Sequence, residues 1–218
     1  SSDPGLPRTY IANSPEELIA HYVLASSKDA PNLLFQEYIP DSDAEDWIFH
    51  GYCNVFSDCI LAFTGRKFRS YPPFAGVTSL GRSVANVLLA KQAEAMLSHI
   101  SYRGIVDLDY CYDRRDGEYK LLDFNPRVGA QFRLFESESE LDVVRALYLD
   151  MTGEVVERSP QCNDRVFILE PHDLISSARY LRKGRITMGQ WLKSLQGPRE
   201  WAWFSWRDPL PFVMMGIR

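Results

Sequence analysis

Several features that define large classes of proteins are missing from this sequence of 218 residues. It has no basic excess, because 24 Lys and Arg stand against 29 Asp and Glu for a formal net charge of -5. Nucleic-acid-binding domains usually carry a basic excess. No apolar run approaches the roughly 20 residues that cross a bilayer. These absences predict a protein that binds neither nucleic acid nor membrane.

Cysteine and histidine are also scarce. The four cysteines show neither a paired metal-binding spacing nor a regular disulfide framework, and they are Cys53, Cys59, Cys111 and Cys162. We therefore expect a reducing, cytoplasmic location, with a disulfide across a hairpin between Cys53 and Cys59 as the alternative. The sequence also contains no nucleophile elbow, phosphate-cradling glycine loop or zinc pattern. Covalent catalysis is not indicated.

The order of predicted elements indicates the fold class. Hydrophobic residues make up 45% of the chain and charged residues 24%, as in ordinary globular proteins. A capping box at Ser14–Glu17 predicts a helix that continues to about Ser26. Periodicity and turn residues then predict, in order, a strand at 32–39, an acidic loop at 41–46, strands at 47–56 and 59–70, a helix at 81–100, a hairpin and a helix at 141–151. This order predicts an α+β fold with a largely antiparallel sheet flanked by helices.

The predicted hairpin is the most informative segment. Its strands, 104–112 and 119–125, flank the turn-forming pair Asp116-Gly117. With a turn centred there, the register can place Asp109 opposite Asp123 and Asp107 opposite Asn125. Simple alternation also predicts that one face of the second strand carries Tyr119, Leu121, Asp123 and Asn125.

Like charges that face each other across a ladder are destabilising, and a divalent cation removes that cost. Mg²⁺ prefers oxygen ligands, takes one or two protein carboxylates and completes its octahedron with water and substrate phosphates. Asp109, Asp123 and Asn125 are therefore the candidate metal ligands, for Mg²⁺ or alternatively Mn²⁺. Arg127 adds a planar donor fork suited to phosphate or carboxylate oxygens. The alternative interpretation is a solvated acidic hairpin without a metal.

These residues carry a family resemblance. The segment 121–127 resembles the metal-binding strand of the ATP-grasp superfamily, and Asp109 matches the other metal ligand of that family. The segments 35–40 and 64–73 resemble those of its carboxylate–amine ligases, of the D-aspartate ligase and carbamoyl-phosphate synthetase type. The resemblance covers roughly residues 9–153. It implies an ATP-grasp fold without its N-terminal part, because the family's strand lysine and glycine-rich loop are not seen before Ser14.

The resemblance also implies ATP as a cofactor. In this family the strand that matches 35–40 holds adenine by its main chain, which assigns Glu37, Tyr38 and Ile39 to the adenine. A following acidic residue binds the ribose hydroxyls, and either Glu45 or Asp46 fits that role. Taken without the resemblance, the segment is an ordinary strand end that stops at a proline.

A basic cluster precedes the loop 71–79, which we expect to border the acceptor substrate. Alternation predicts Lys67 and Arg69 on one strand face and Arg66 on the other. Cations aimed at a transferring phosphoryl group stabilise its developing charge. We assign Arg66 to nucleotide binding, and Lys67, together with Arg127, to catalysis. The alternative is a solvated basic strand paired with nearby acidic residues.

The chain changes character near residue 157. We predict a nucleotide- and metal-binding region at 1–156 and a helical, Trp-rich extension at 157–218, with helices at 174–183 and 187–195. The aromatic residues of this extension are expected to pack onto the preceding domain, with a homo-oligomer interface as the alternative.

Together these features predict an ATP-dependent carboxylate–amine ligase, or carboxylate–thiol ligase, that acts through an acyl phosphate on small-molecule substrates. The competing hypothesis is a non-catalytic ATP-binding or assembly module that keeps the fold. The complete set of candidate metal ligands on the hairpin favours the enzyme. The lack of the family's strand lysine before Ser14 favours the non-catalytic module.

Overall fold

The computed structural model describes residues 10–26, 33–73 and 76–215, which form two compact units, Ser1–Pro40 and Asp41–Arg218. Asn32 of the predicted strand, and Phe74 and Ala75 of the predicted acceptor loop, lie outside the described residues. The helices are α1 Pro15–Ser26, α2 Val87–His99, α3 Val143–Met151, α4 Glu170–Arg182, α5 Met188–Ser194 and α6 Leu210–Met215. The strands are β1 Ala44–Cys53, β2 Cys59–Tyr71, β3 Val77–Ser83, β4 Gly104–Asp113, β5 Glu118–Asn125, β6 Val166–Ile168 and β7 Arg199–Trp201.

The first unit contains the predicted helix α1. The Ser14 hydroxyl accepts a hydrogen bond from the backbone N–H of Glu17 at 3.2 Å, and the Glu17 carboxylate accepts one from the N–H of Asn13 at 2.8 Å. These bonds satisfy N–H groups that a helix start leaves without partners. The strand predicted at 32–39 is wrong, because 33–40 has no regular structure. An apolar run forms a strand only where a neighbouring strand accepts its backbone hydrogen bonds.

The second unit is built on one seven-stranded sheet in the order β5-β4-β1-β2-β3-β6-β7. Every neighbouring pair is antiparallel except β6 with β7, which is parallel. The predicted α+β class and largely antiparallel sheet are therefore confirmed. The hairpin of β4 and β5 forms one edge of the sheet.

The two faces of the sheet have separate cores. Alternating side chains of β1 and β4 pack against α2, with Phe49, Leu89 and Leu108 at the centre. The intervening residues pack against α3 and the short 3₁₀ helix Phe132–Leu134, with Ile48 and Phe63 fully buried. We call these the α2 face and the α3 face.

Helix α2 is shorter than the predicted 81–100. It begins at Val87 because the Asn86 side chain accepts a hydrogen bond from the N–H of Leu89 at 3.1 Å and caps the first turn. Gly81 instead belongs to β3, where it pairs with Lys67. The predicted acidic loop is also shorter than expected, since β1 begins at Ala44 and includes Glu45 and Asp46.

The C-terminal segment contains the predicted helices as α4 and α5, and it also contributes β6 and β7 to the sheet. Phe204 contacts the rings of Trp201, Trp206 and Phe212, whereas the side chain of Trp206 is 90% exposed. The division at 156/157 and the homo-oligomer interface both stay predictions. None of the described helices is long and apolar enough to cross a bilayer.

The buried carboxylate of Asp113 anchors the β4–β5 turn and leads to a test of hairpin stability. It accepts hydrogen bonds from Arg115 Nη2 at 2.6 Å and Lys120 Nζ at 2.7 Å. The bonds from Arg115 are the main reason that the pKa of Asp113 lies well below its usual range, with Lys120 adding to the effect and burial opposing it. The stabilisation is therefore present above the unfolded-state pKa of about 3.9 and lost as pH falls below it.

We expect Asp113→Asn to lower the free energy of unfolding at neutral pH. As the pH is lowered, the free energy of unfolding of this variant should also fall less than that of the unmodified protein. Urea denaturation between about pH 7 and pH 3 measures both effects. Asp58→Asn, at an exposed Asp in the β1–β2 turn, is the matched control. Equal acid dependence in the two variants would contradict the proposed anchor.

Candidate functional site

The register of the β4–β5 hairpin brings the predicted ligands together. Asp109 pairs with Asp123, and Asp107 pairs with Asn125, as predicted from the turn. Gly117 in that turn has φ of 78°, a left-handed conformation that glycine adopts without steric cost. The two carboxylates of Asp109 and Asp123 therefore face each other across the ladder, at the open edge of the sheet.

A β-bulge at Leu122 corrects the predicted alternation of β5. Tyr110 pairs with Leu121 and the next residue, Asp109, pairs with Asp123, so Leu122 has no partner in the ladder. Tyr119, Leu121 and Phe124 consequently pack on the α2 face, while Asp123 and Asn125 lie on the other. The expectation that Tyr119 and Leu121 share a face with Asp123 is wrong, because one extra residue reverses the phase of the strand.

A cleft of about 180 Å³ adjoins Asp109 and Asp123 and is lined by Asp46, Lys67, Ser70, Gly76, Asp109, Tyr110, Leu122 and Asp123. Lys67 Nζ lies 3.4 Å from Asp109 Oδ1 and donates to the Gly76 carbonyl at 3.3 Å. Burial raises the pKa of Asp109; Lys67 opposes this effect, and the charges of Asp107 and Asp123 add to it. Burial likewise raises the pKa of Asp46, against Lys67 and together with Asp109. The cleft thus concentrates negative charge around one lysine.

Asn125 and Arg127 extend this acidic wall. The Asn125 amide nitrogen donates to Asp123 Oδ2 at 2.9 Å, and Arg127 Nη2 donates to Asn125 Oδ1 at 3.0 Å. Arg127 also donates to the Val128 carbonyl at 3.2 Å. The structure therefore links these three predicted residues in one hydrogen-bonded series.

Asp107 points to a different environment and is not available as a ligand. Its carboxylate is 3.1 Å from His50 Nδ1 and accepts a hydrogen bond from Gln131 Nε2 at 3.1 Å. Gly129 lies so close that a Cβ atom there would be 2.5 Å from the carboxylate. Asp107 is thus a buried anchor beneath the hairpin, which agrees with its omission from the candidate ligand set.

The donor set fits a hard divalent cation. Asp109 and Asp123 offer two opposed carboxylates and Asn125 one amide oxygen, and Mg²⁺ needs only one or two protein carboxylates when phosphates complete its shell. Within the described ranges, no group of three or more His, Cys, Asp or Glu side chains is arranged around a metal position. The residues therefore fit a cation shared with a phosphorylated substrate better than an ion held by protein alone.

The prediction that Lys67 and Arg69 lie on the same face of their strand is wrong. Lys67 pairs with Gly81 and Arg69 pairs with Leu80, so Lys67 and Arg69 point to opposite faces of the sheet. Register shifts on both sides of Arg69 cause this reversal. Lys67 lines the cleft, whereas Arg69 forms a buried ion pair with Asp173 at 2.7 Å.

Arg66 and Glu45 lie away from the cleft. Arg66 stacks over Trp47, 5.6 Å from the ring centroid, and its guanidinium is 3.2 Å from Glu45. Glu45 also accepts from Arg114 at 2.6 Å, and these two arginines lower its pKa against the opposing effect of burial. Of the two candidates for ribose binding, only Asp46 lines the cleft, since consecutive strand residues point to opposite faces.

The remaining predicted residues, Glu37, Tyr38 and Ile39, belong to the first unit, and their assignment to adenine stays a prediction. Ser70 is a cleft residue that sequence reasoning missed. It follows the register shift after Arg69, for which the sequence contains no turn or glycine signal.

Comparison with curated proteins shows similarity to a ligase. D-aspartate ligase of Enterococcus faecium (strain Aus0004) is 29% identical over 102 residues, a match that covers 44% of this chain and 24% of the relative. The chain therefore spans about a quarter of the length of that ligase. No protein-family model matches the chain.

Solved structures with partial similarity include two carboxylases. The biotin carboxylase domain of 2-oxoglutarate carboxylase from Hydrogenobacter thermophilus, in complex with MgADP, ADP and bicarbonate, has a TM-score of 0.48 at 13% identity and covers 66% of this chain and 33% of that one. Pyruvate carboxylase from Rhizobium etli has a TM-score of 0.45 at 15% identity and covers 65% of this chain and 15% of that one. Because both TM-scores are below 0.5, the fold assignment rests on the sheet itself.

Proposed function

We propose an activity for this chain on the premise that it belongs to an ATP-grasp carboxylate–amine ligase, which its motifs indicated and its similarity to D-aspartate ligase supports. The proposed reaction joins a small-molecule carboxylate to an amine with the cleavage of ATP to ADP and phosphate. The carboxylate oxygen attacks the γ-phosphorus to form an acyl phosphate, and the amine then displaces phosphate to form an amide. In the alternative form of this reaction, a thiol takes the place of the amine and displaces phosphate from the same acyl phosphate.

The opposed pair of Asp109 and Asp123 carries the proposal. Two carboxylates that face each other across a ladder, one of them with a raised pKa, are costly unless a cation joins them. The neighbouring amide of Asn125 supplies a third oxygen on the same wall. When bound there, Mg²⁺ would neutralise phosphate charge during in-line transfer.

The side chains of the cleft have separate proposed roles. Lys67 is the cation nearest the carboxylates and would bind the transferring phosphate group, which would replace its contact with Asp109. Arg127 would hold phosphate or substrate carboxylate with its planar fork, and it orients Asn125 through the hydrogen bond at 3.0 Å. Asp46 would accept hydrogen bonds from ribose hydroxyls. Cytoplasmic location, adenine contacts by Glu37–Ile39 and the use of Mn²⁺ belong to the same proposal.

The alternative function is nucleotide binding without ligation. The absence of a third acidic or imidazole ligand among the described residues favours it, because a weakly held metal suits binding as well as chemistry. The two functions differ in whether ADP release depends on a carboxylate substrate.

Hydroxylamine trapping distinguishes the two functions before the natural amine is known. With the complete natural reading frame, ATP, Mg²⁺ and a panel of amino acids and dicarboxylates, we expect one carboxylate to give a hydroxamate and a matching release of ADP. The methyl ester of that carboxylate is the control, since it cannot attack ATP. Tight ATP binding without hydroxamate from any carboxylate would contradict the ligase and support the binding module. Amine and thiol acceptors then replace hydroxylamine in separate arms.

A further inference from the structure

A second cavity lies in the Asp41–Arg218 unit, apart from the metal cleft. Its volume is about 450 Å³, within the range of small-molecule sites. Its lining residues come from β2, β3 and the segment around α5, and they are Phe68, Arg69, Arg82, Arg185, Ile186, Gln190, Lys193, Ser194 and Gln196. Four of these described residues are cationic and none is acidic. We call this cavity the basic groove.

The basic groove and the metal cleft lie on opposite faces of the sheet. Arg82 of the groove is the neighbour of Gly81 on β3, and Gly81 pairs with Lys67 of the cleft. Since consecutive strand residues point to opposite faces, Arg82 and Lys67 do as well. A ligand in the groove would therefore be bound independently of the metal.

Two arginines give the groove a fixed wall. Arg69 is 2% exposed and donates from Nε and Nη2 to the two oxygens of Asp173, at 2.7 and 2.8 Å. Its Nη1 donates to the Ser194 hydroxyl at 2.9 Å. Arg82 donates to the Gln196 carbonyl at 2.9 Å and so ties down the chain that follows α5. The groove is thus held in place by hydrogen bonds, of which those between Arg69 and Asp173 are buried.

Three of the four cations of the groove lie beside a carboxylate, Arg69 beside Asp173, Arg82 beside Asp164 and Arg185 beside Asp41, and the last two contacts are as long as 3.4 and 3.6 Å. Arg66 and Arg82 face each other across β2 and β3, and the nearest carboxylate to Arg82 is that of Asp164, at 3.4 Å with a side chain 76% exposed. Lys193 has no carboxylate within ion-pair distance in the part of the chain that the structure describes. Clustered like charges raise the free energy of the protein unless an anion binds among them.

From these observations we propose that the basic groove binds a small organic oxyanion with at least two negative charges, a phosphate monoester or a dicarboxylate. Arg82 and Lys193 would bind its charged group, because guanidinium and ammonium donors form strong charge-assisted hydrogen bonds with both kinds of oxygen. Phe68 and Ile186 would contact its apolar part. The ligand class goes beyond the proposed ligation and requires neither ATP nor a metal.

The test uses phenyl phosphate and phthalate as the two arms, each measured by isothermal titration calorimetry with the full chain in EDTA and without nucleotide. We expect one of the two to bind, which identifies the preferred oxyanion, with phenol as the uncharged control. Lys193→Gln should weaken binding about tenfold through the loss of one charge-assisted contact. Lys91→Gln, at an exposed lysine of α2, should leave the affinity unchanged.

Three outcomes would overturn the proposal. They are no binding of either anion, equal affinities for Lys193→Gln and Lys91→Gln, and a loss of binding in Lys67→Gln, which would place the anion in the metal cleft. Because the measurement excludes metal and nucleotide, a failed ligase assay does not affect its outcome.

Discussion

Replacing Asp123 by alanine is expected to lower substrate-dependent ADP release about a thousandfold while the fold stays intact. A bound metal that polarises a phosphoryl group contributes several kcal/mol to the transition state, and its loss converts to that factor. Asp123 is exposed on an edge strand, so its removal leaves no buried group without a partner. Asn125→Ala should act in the same direction, because it removes both the third oxygen and the group that Arg127 orients.

The matched control for this experiment lies on the same strand. Glu118 is an exposed acidic residue at the start of β5, opposite Asp113 and remote from Asp109. Glu118→Ala should therefore keep full turnover and a normal dependence on Mg²⁺. ADP release should be measured with saturating ATP, and circular dichroism and urea denaturation should show that each variant is folded. Normal turnover in Asp123→Ala and Asn125→Ala would refute the assigned metal site.

Asp173→Ala should destabilise the protein by about 3–5 kcal/mol, because it leaves the guanidinium of Arg69 buried without its counter-ion. Both side chains are almost completely buried, and two hydrogen bonds join them. A loss of this size is a large share of the total stability of an ordinary domain. The free energy of unfolding from urea denaturation measures it.

Two comparisons make this second prediction specific. Asp164→Ala removes an acidic partner of Arg82 that is 76% exposed, so it should cost less than about 1 kcal/mol. The double variant Arg69→Met, Asp173→Leu replaces the buried pair with apolar side chains and should recover most of the loss. If Asp173→Ala cost no more than Asp164→Ala, the ion pair would have no structural role.

The parts of the fold that local sequence features determine were predictable. The turn pair Asp116-Gly117 predicts the hairpin, and its register together with the bulge at Leu122 brings Asp109 opposite Asp123. Helices α1 and α3 follow from capping residues and apolar periodicity. The prediction of a strand at 32–39 failed because it rested on the apolar residues of that segment. A strand also needs a neighbouring strand as its hydrogen-bonding partner, and the sequence does not specify one.

Contacts between residues far apart in the chain, and shifts in strand register, could not be predicted from the sequence. Arg69 and Asp173 are 104 positions apart, and only the folded chain shows that Asp173 neutralises a side chain assigned to a basic cluster. The shifts around Arg69 carry no glycine or turn signal, so alternation assigned Lys67 and Arg69 to one face. Glu45 and Asp46 could be separated only once both were known to lie on a strand.

The bulge at Leu122 makes the polarity of the hairpin wall depend on the register of β5 rather than on residue identity. If Leu122 were paired in a regular ladder instead, Asp123 and Asn125 would turn towards α2, and Phe124 would take their place in front of the cleft. Regular pairing of Leu122 would thus remove the acidic wall without altering any acidic side chain, whereas its deletion would keep Asp109 opposite Asp123. When this chain is aligned with relatives, a gap misplaced by one position would equate a carboxylate with a buried aromatic ring.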